Sequence, residues 1–425
     1  MAMLTRAARR LLPACSLLAA ARPRRRTTHS KVHGILINYI DHFQPHLFAR
    51  PSASSSDSSP PIVDAMFDFL PDDDRQPWWS VLDHSNGLLL CEMGRNELCV
   101  CNPATRRWTL IPCPRWEGER AVYLAFDPAV SPHYEVLVVP AVPPEAEKPP
   151  FVDDDTSRRL LESEWPPTRW KLDVFSSRTG QWEERVFFRQ GEPAGTVRDL
   201  LMDQGGPFRW GEQQRYAVYC RGALYVHCRG YFVSRLVLLD STYQVIEAPT
   251  YNKNKRVVVP YLGRSKNMVY FGIVEEPQRL RVWILSESTG RMEWILKYQD
   301  DLVPLAQHLQ KYDRYDRRMD APWMVHDVSD TEEDAKTITK KRFEWDSDED
   351  DFFTIKRGAK KYYKYFDILG FHPYKEIVYL TAVFRVVAYH LNNSKVQYLG
   401  HSRPRSYYQA HSNGIYESFV YTHVL

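Results

Sequence analysis

The chain has 425 residues, 44% of them hydrophobic and 13% aromatic, which is ample material for one large core. Its 56 Lys and Arg nearly balance 53 Asp and Glu, so a formal charge of +3 makes no global electrostatic case for nucleic acid or a membrane surface as partner. A mean hydropathy of −0.47 and the lack of a long apolar run argue against a membrane-spanning protein.

The first element is a basic leader, residues 1–30, with Arg6, Arg9, Arg10, Arg22, Arg24, Arg25 and Arg26 and no acid before Asp41. An Arg-rich, acid-free amphipathic start has the composition of a mitochondrial or plastid transit peptide. A short secretory apolar region over residues 11–21 and a leader with no address stay open beside it, the default location being cytoplasm or nucleus. Residues 31–78 read as a connector. Within it the Ser-rich tract at 52–61 is too polar to offset its ordering entropy and is expected to be disordered.

From about Trp79 onward one phrase recurs: an apolar strand, a small polar turn, then an aromatic or apolar residue opening the next strand. It is clearest in Leu98–Trp108 and Leu172–Trp182. Looser copies run from Leu236 to Ile246, from Val282 to Trp294 and from Ala388 to Tyr398. Alternating apolar residues suit strands, while Asn, Ser, Thr and Gly supply the side-chain bonds and left-handed backbone of tight turns. Turn-then-apolar runs at Ser85–Cys91, Arg221–His227 and Lys266–Gly272 are expected to be inner strands. Ala125–Pro128 with His133–Val139, and Gly370–Pro373 with Tyr374–Leu380, read as strand, Pro-bearing turn, strand. Repetition of one hairpin predicts an all-β protein, a β-propeller of about five to seven blades. A C-terminal strand with Glu417, Phe419, Tyr421 and His423 on one face and Ser418, Val420, Thr422 and Val424 on the other is expected to close it beside the first blade.

Between the fourth and fifth copies, residues 300–311 predict a short helix with Pro304 in its first turn. An acidic insertion follows at 326–352, with a basic knot of Lys340, Lys341 and Arg342. It reads either as a solvated, disordered loop or as a regulatory one, Ser329 and Ser347 being candidate phosphorylation sites because acids follow each closely.

The ordered series Ser85–Leu90, Cys101–Trp108, Ala125–Pro128, Val174–Trp182 and Gly222–Tyr225 resembles the F-box-associated domain of plant F-box proteins, particularly the large grass families. The resemblance covers Trp79 to the C-terminus. It implies a kelch-like propeller that recruits a target protein to a cullin-type ubiquitin ligase, with a preceding F-box holding the ligase adaptor. Leu70–Asp74 matches only the opening words of an F-box, and Trp78 and Trp79 lead straight into the first blade. Residues 29–51 look like the connector that follows an F-box in that family. Binding of the cullin-ligase adaptor is therefore not expected of this chain.

No Gly-x-Ser-x-Gly elbow, phosphate-binding Gly-rich loop or His-Glu-x-x-His motif is present, and neither a catalytic residue nor a cofactor is predicted. The seven cysteines, at 15, 91, 99, 101, 113, 220 and 228, form no zinc pattern or disulfide framework; Cys99 and Cys101 share a strand face and read as small buried thiols. His29 with His33, and His42 with His46, are each four apart, a spacing read as chance and not as a metal site. Candidates for a partner-binding face are large side chains on connections, Trp116, Trp165, Trp210, Tyr251, Tyr407 and Tyr408. The leading function is a protein-recognition module for an unknown target. An oxidase or glycosidase on a propeller, and a non-functional relic of a duplicated family, are the alternatives. Paired carboxylates or a His-Tyr-Cys cluster in the pore would favour the enzyme, and an apolar aromatic loop face would favour recognition.

Overall fold

Four-stranded antiparallel meanders recur along the chain and stand radially around a channel, which makes the protein a β-propeller. The computed structural model describes residues 32–50, 67–70, 78–94, 97–112, 120–147, 155–202, 216–229, 231–249, 259–288, 291–310, 321–326, 366–408 and 414–422. Among these, six blades can be traced. Blade I comprises Trp79–Ser85, Leu88–Met93, Glu97–Asn102 and Arg107–Ile111, and blade II comprises Arg120–Ala125, Glu135–Pro140, Arg169–Ser176 and Gln181–Arg189. Blade III is Ala217–Cys220, Ala223–Cys228, Phe232–Val237 and Thr242–Glu247; blade IV is Tyr261–Ser265, Met268–Glu275, Arg279–Ser288 and Arg291–Asp301. Blade V runs Asp367–Phe371, Ile377–Ala382, Arg385–His390 and Val396–His401. The outer strands of blades II and III also pair in parallel, Phe188 with Thr242 and Arg189 with Tyr243, so two blades share one eight-stranded sheet.

Blade VI closes the ring. Its innermost strand is the C-terminal Ile415–Thr422, its second and third are Val32–Tyr39 and His46–Ala49, and its outer strand is Met324–Val325. The C-terminal strand therefore does not pair beside blade I, as the sequence suggested, but with Val32–Tyr39, with Leu36 opposite Phe419 and Ile35 opposite Val420. The stretch read as a connector supplies two blade strands. The physical reason lies in Ile35, Leu36 and Ile37, all essentially unexposed. A strand packed on both faces needs a continuous apolar run, and its partner nearly four hundred residues away leaves no local signal.

All five copies of the recurrent phrase fall on the hairpin between the third and outer strands of blades I to V. The turn closes on a residue in the left-handed region, Arg106 (φ 54°), Gly180 (φ 71°), Ser241 (φ 50°) and Ser394 (φ 54°) in four of them. Polar side chains brace these turns, Asn102 Oδ1 accepting from Ala104 N at 3.0 Å and Ser176 Oγ from Arg178 N at 3.3 Å. Trp108 and Trp182 are equivalent, opposite Cys101 and Phe175 in their blades. Both are half-buried, because an outer strand is covered by a neighbouring blade on one side only. Trp182 Nε1 reaches across to donate to the carbonyl of Pro112, tying blade II to the end of blade I.

The three turn-then-apolar runs expected as inner strands are second strands. Left-handed pairs Asn86-Gly87, Arg221-Gly222 and Lys266-Asn267 join them to the true innermost strands. The second strand is the apolar one because neighbouring blades cover both its faces, Ala223–Cys228 being buried throughout. The innermost strand carries the polar residues because it lines the channel. The predicted helix is present as Val303–Gln310, with Asp301 Oδ1 accepting from Val303 N at 2.9 Å.

Candidate binding site in the central channel

Innermost strands of neighbouring blades meet with few side chains between them, and buried polar groups pin them together. Asp83 on blade I accepts from His84 N and, across the seam, from Leu124 N of blade II, each at 2.8 Å. Asn38 of blade VI pairs with the backbone of Val81, donating to its carbonyl at 2.7 Å and accepting from its N–H at 3.2 Å, and donates also to Glu417. Ser418 Oγ donates to Leu369 O of blade V at 2.9 Å, and Tyr261 OH of blade IV donates to Ser418 O at 3.0 Å. Each such bond satisfies a group that would otherwise be orphaned in a dry seam.

A cavity of about 70 Å³ lies in the channel, lined by the innermost strands of blades I, III, IV, V and VI. Its walls are aromatic: Tyr216 packs on Tyr261 in a tilted pair with ring centroids 4.1 Å apart, and Phe371 and Phe419 stand 5.9 and 6.2 Å from Tyr261 and Tyr216. Its polar members include Asp83, His84, Asn86 and Arg264. Burial pushes Asp83 up to about 7 and Glu417 up to about 8, and it holds both Tyr216 and Tyr261 well above the phenol range. Burial, with the Arg264 charge second, brings His84 down to about 4, so its ring is neutral at physiological pH. Arg264 is half-buried and donates to Asn86 Oδ1 at 2.8 Å; among the described residues no carboxylate pairs with it.

The partner-face candidates fare unevenly. Trp165 is only 5% exposed, in a two-stranded ribbon, Glu164–Trp165 with Gly195–Thr196, and packs edge-on to Trp170 at 5.9 Å. Tyr407 is buried as well, donating to Ile40 O at 3.0 Å. These two cover their own core, as large side chains on a connection do when an apolar seam opens beneath them. Tyr408, 69% exposed, is available to a partner. Trp116, Trp210 and Tyr251 lie outside the described residues, as do the leader, the Ser-rich tract, the acidic insertion beyond His326, and Ser329 and Ser347.

Two groupings are closer than the spacing suggested. His42 and His46 are both buried with their Nε2 atoms 2.9 Å apart, and His46 Nδ1 lies 3.1 Å from His326 O. A carbonyl only accepts, so His46 carries its proton on Nδ1 and its Nε2 accepts from His42. Cys99 and Cys101 are joined by Cys91, directly opposite Cys99 on the neighbouring strand. Burial above all for Cys99, and the hydrogen bond with Cys91 followed by burial for Cys101, hold both well above the thiol range, so both are protonated. Among the described residues no three His, Cys, Asp or Glu side chains gather as metal ligands. Asp83, His84, Arg264 and Glu417 were missed in the sequence. The available signal was a run of polar residues, Asp83 to Asn86, at the end of an otherwise alternating strand and the start of its turn.

Comparison with known proteins gives one curated relative. The chain is 24% identical over 241 residues to F-box protein At5g07610 of Arabidopsis thaliana, covering 55% of this chain and 51% of that protein. The chain thus spans about half the length of the relative it matches. No family model matches. Among solved structures, YCF48 bound to D1 peptide aligns over 88% of this chain and 83% of its own at 8% identity and a TM-score of 0.32. Sqt1 of Saccharomyces cerevisiae aligns over 88% and 87% at 9% identity and a TM-score of 0.30. Likeness that low adds nothing to a propeller read from its own strand order.

Proposed function

We propose that this chain is a protein-recognition module, resembling the kelch-like substrate-binding domain of a plant F-box ubiquitin-ligase receptor. The observation that carries the reading is the similarity to the Arabidopsis F-box protein across 55% of the chain. A propeller suits the role because variable connections project from a rigid ring. The buried acids support it too: both oxygens of Asp83 are engaged by backbone N–H groups and Glu417 by Asn38, the arrangement of struts between blades. The partner is an unidentified target protein in the cytoplasm or nucleus, with the Arg-rich leader as an alternative organelle address. The ligase adaptor is not among the proposed partners: Val32–Tyr39 and His46–Ala49 are strands of blade VI and so are not free to form a helical docking element.

Affinity purification of the tagged 425-residue chain from plant tissue tests both halves. A discrete retained protein without adaptor is expected. Stoichiometric adaptor would refute the second half, and failure to retain any protein would refute the first.

A second reading, an enzyme on a propeller, draws on the cluster of Asp83, His84, Tyr216 and Tyr261 around one cavity. Turnover of a model glycoside or phenol that is lost in Asp83→Asn while the fold is kept would establish it.

A further inference from the structure

At the end of the channel where turns join innermost to second strands, Asn86, Arg264 and Pro373 line the cavity wall. Two groups at this mouth keep capacity that their bonds between blades do not use. Arg264 is a half-buried cation whose hydrogen-bond partner is the neutral Asn86 amide. His84 Nδ1 is shielded from solvent and has no partner among the described residues, while the ring bonds to the backbone of Val420. A carbonyl accepts, so the ring proton sits on Nε2 and Nδ1 is left as a lone-pair acceptor. A shielded acceptor and an unneutralised guanidinium on one small cavity are costly unless something fills them.

We propose that this mouth receives the C-terminal carboxylate of a partner polypeptide, with Arg264 pairing with the anion and His84 Nδ1 accepting the N–H of the terminal residue. A chain end presents these two groups together, an anion and a donor joined through one Cα. The cavity is small, about 70 Å³, and a carboxylate with its Cα is the size of group proposed to enter it. The charge balance selects a monoanion. One guanidinium faces the cavity and Asp83 stands on the same wall, which works against a phosphate dianion as Asp83 ionises. Arg suits the task because its planar fork matches a carboxylate in two parallel bonds.

This inference rests on the reading of the chain as a protein-recognition module and names a site for it. Titration of the full chain with N-acetyl-triglycine, its C-terminal amide and acetate, followed by calorimetry or ligand-observed NMR, tests it. The free-acid peptide is expected to bind more tightly than acetate, and amidation is expected to weaken it at least tenfold. Arg264→Gln keeps a donor for Asn86 but removes the charge, and is expected to lose the same tenfold with an unchanged thermal midpoint. Arg264→Lys, which keeps the charge, serves if the Gln variant does not fold and is expected to retain part of the binding. His84→Phe is expected to bring the free-acid peptide down to the level of acetate. Equal binding of acetate and peptide to the wild-type chain would overturn the chain-end source in favour of a free carboxylate. Indifference to amidation or to Arg264→Gln, or no binding of any probe at millimolar concentration, would overturn the site itself. Target capture from tissue that survives Arg264→Gln would refute this site and leave the recognition reading standing.

Discussion

Asp83 and Glu417 show how a buried acid can be both structural and titratable. Asp83 accepts two backbone N–H bonds, which favour its anion, yet burial is the larger effect and lifts it to about 7. Glu417 is lifted to about 8 by burial, against the Asn38 bond and with the help of Asp83. Both values exceed those of the unfolded chain, so the folded state holds these protons more tightly. Their contribution to stability is full below about pH 4 and is lost as pH rises through about 7 to 8. Glu417→Gln mimics the protonated acid at every pH. Between pH 5 and 9 the thermal midpoint of the wild-type chain is therefore expected to fall further than that of Glu417→Gln, measured by circular dichroism. Parallel curves would mean that Glu417 is ionised in the fold throughout.

The hairpin between third and outer strands is the element on which the repeat rests. Trp182 is half-buried against Phe175, centroids 5.5 Å apart, and its Nε1–H is taken by Pro112 O. Trp182→Ala is expected to cost about 2 to 3 kcal/mol in urea unfolding, below the ~3 to 5 kcal/mol of a fully buried aromatic, with the loss of the inter-blade bond included. A cost near zero would show that the outer strands do not hold neighbouring blades. The turn Val383-Phe384 of blade V is built against local preference, with φ of 54° and 63° at a β-branched and an aromatic residue. Phe384 is kept there by its packing on Tyr39 and Tyr407 at 6.3 and 6.0 Å. Val383 has no such anchor among the ring contacts, and Val383→Asn is expected to stabilise the protein by roughly 1 kcal/mol by relieving the left-handed strain. An unchanged or lowered urea midpoint would show that Val383 packs usefully.

At the scale of the molecule, closure depends on two segments from opposite ends of the chain. Val32 pairs with Thr422 and Tyr39 with Ile415 along the whole seam, and removing either strand leaves blades I and V with bare innermost flanks. Deletion of residues 415–425 is expected to abolish cooperative unfolding of the whole ring, not only of blade VI, and to expose apolar surface that binds a hydrophobic dye. A sharp native-like transition in the truncated chain would show that the first five blades stand without closure. Gly370 marks how close the seam is. Its φ is 147°, and a Cβ there would meet Val420 Cγ2 at 2.4 Å, so the innermost strands of blades V and VI approach only because that position is bare.

Local chemistry alone determined the repeated hairpin, because alternation, turn residues and the aromatic opening the outer strand are all written within a dozen neighbouring positions. The helix at Val303–Gln310 was legible for the same reason, its acids and Pro304 lying within one turn of its start. What the tertiary structure decided was everything set by partners distant in the chain: that Ile35–Ile37 belong to a blade, that Trp165 and Tyr407 point into the core, and that His42 meets His46. The candidate site belongs to this second kind. Asp83, His84 and Arg264 come from blades I and IV and share a cavity only when the ring has closed, and no spacing within either strand encodes a distance across a channel.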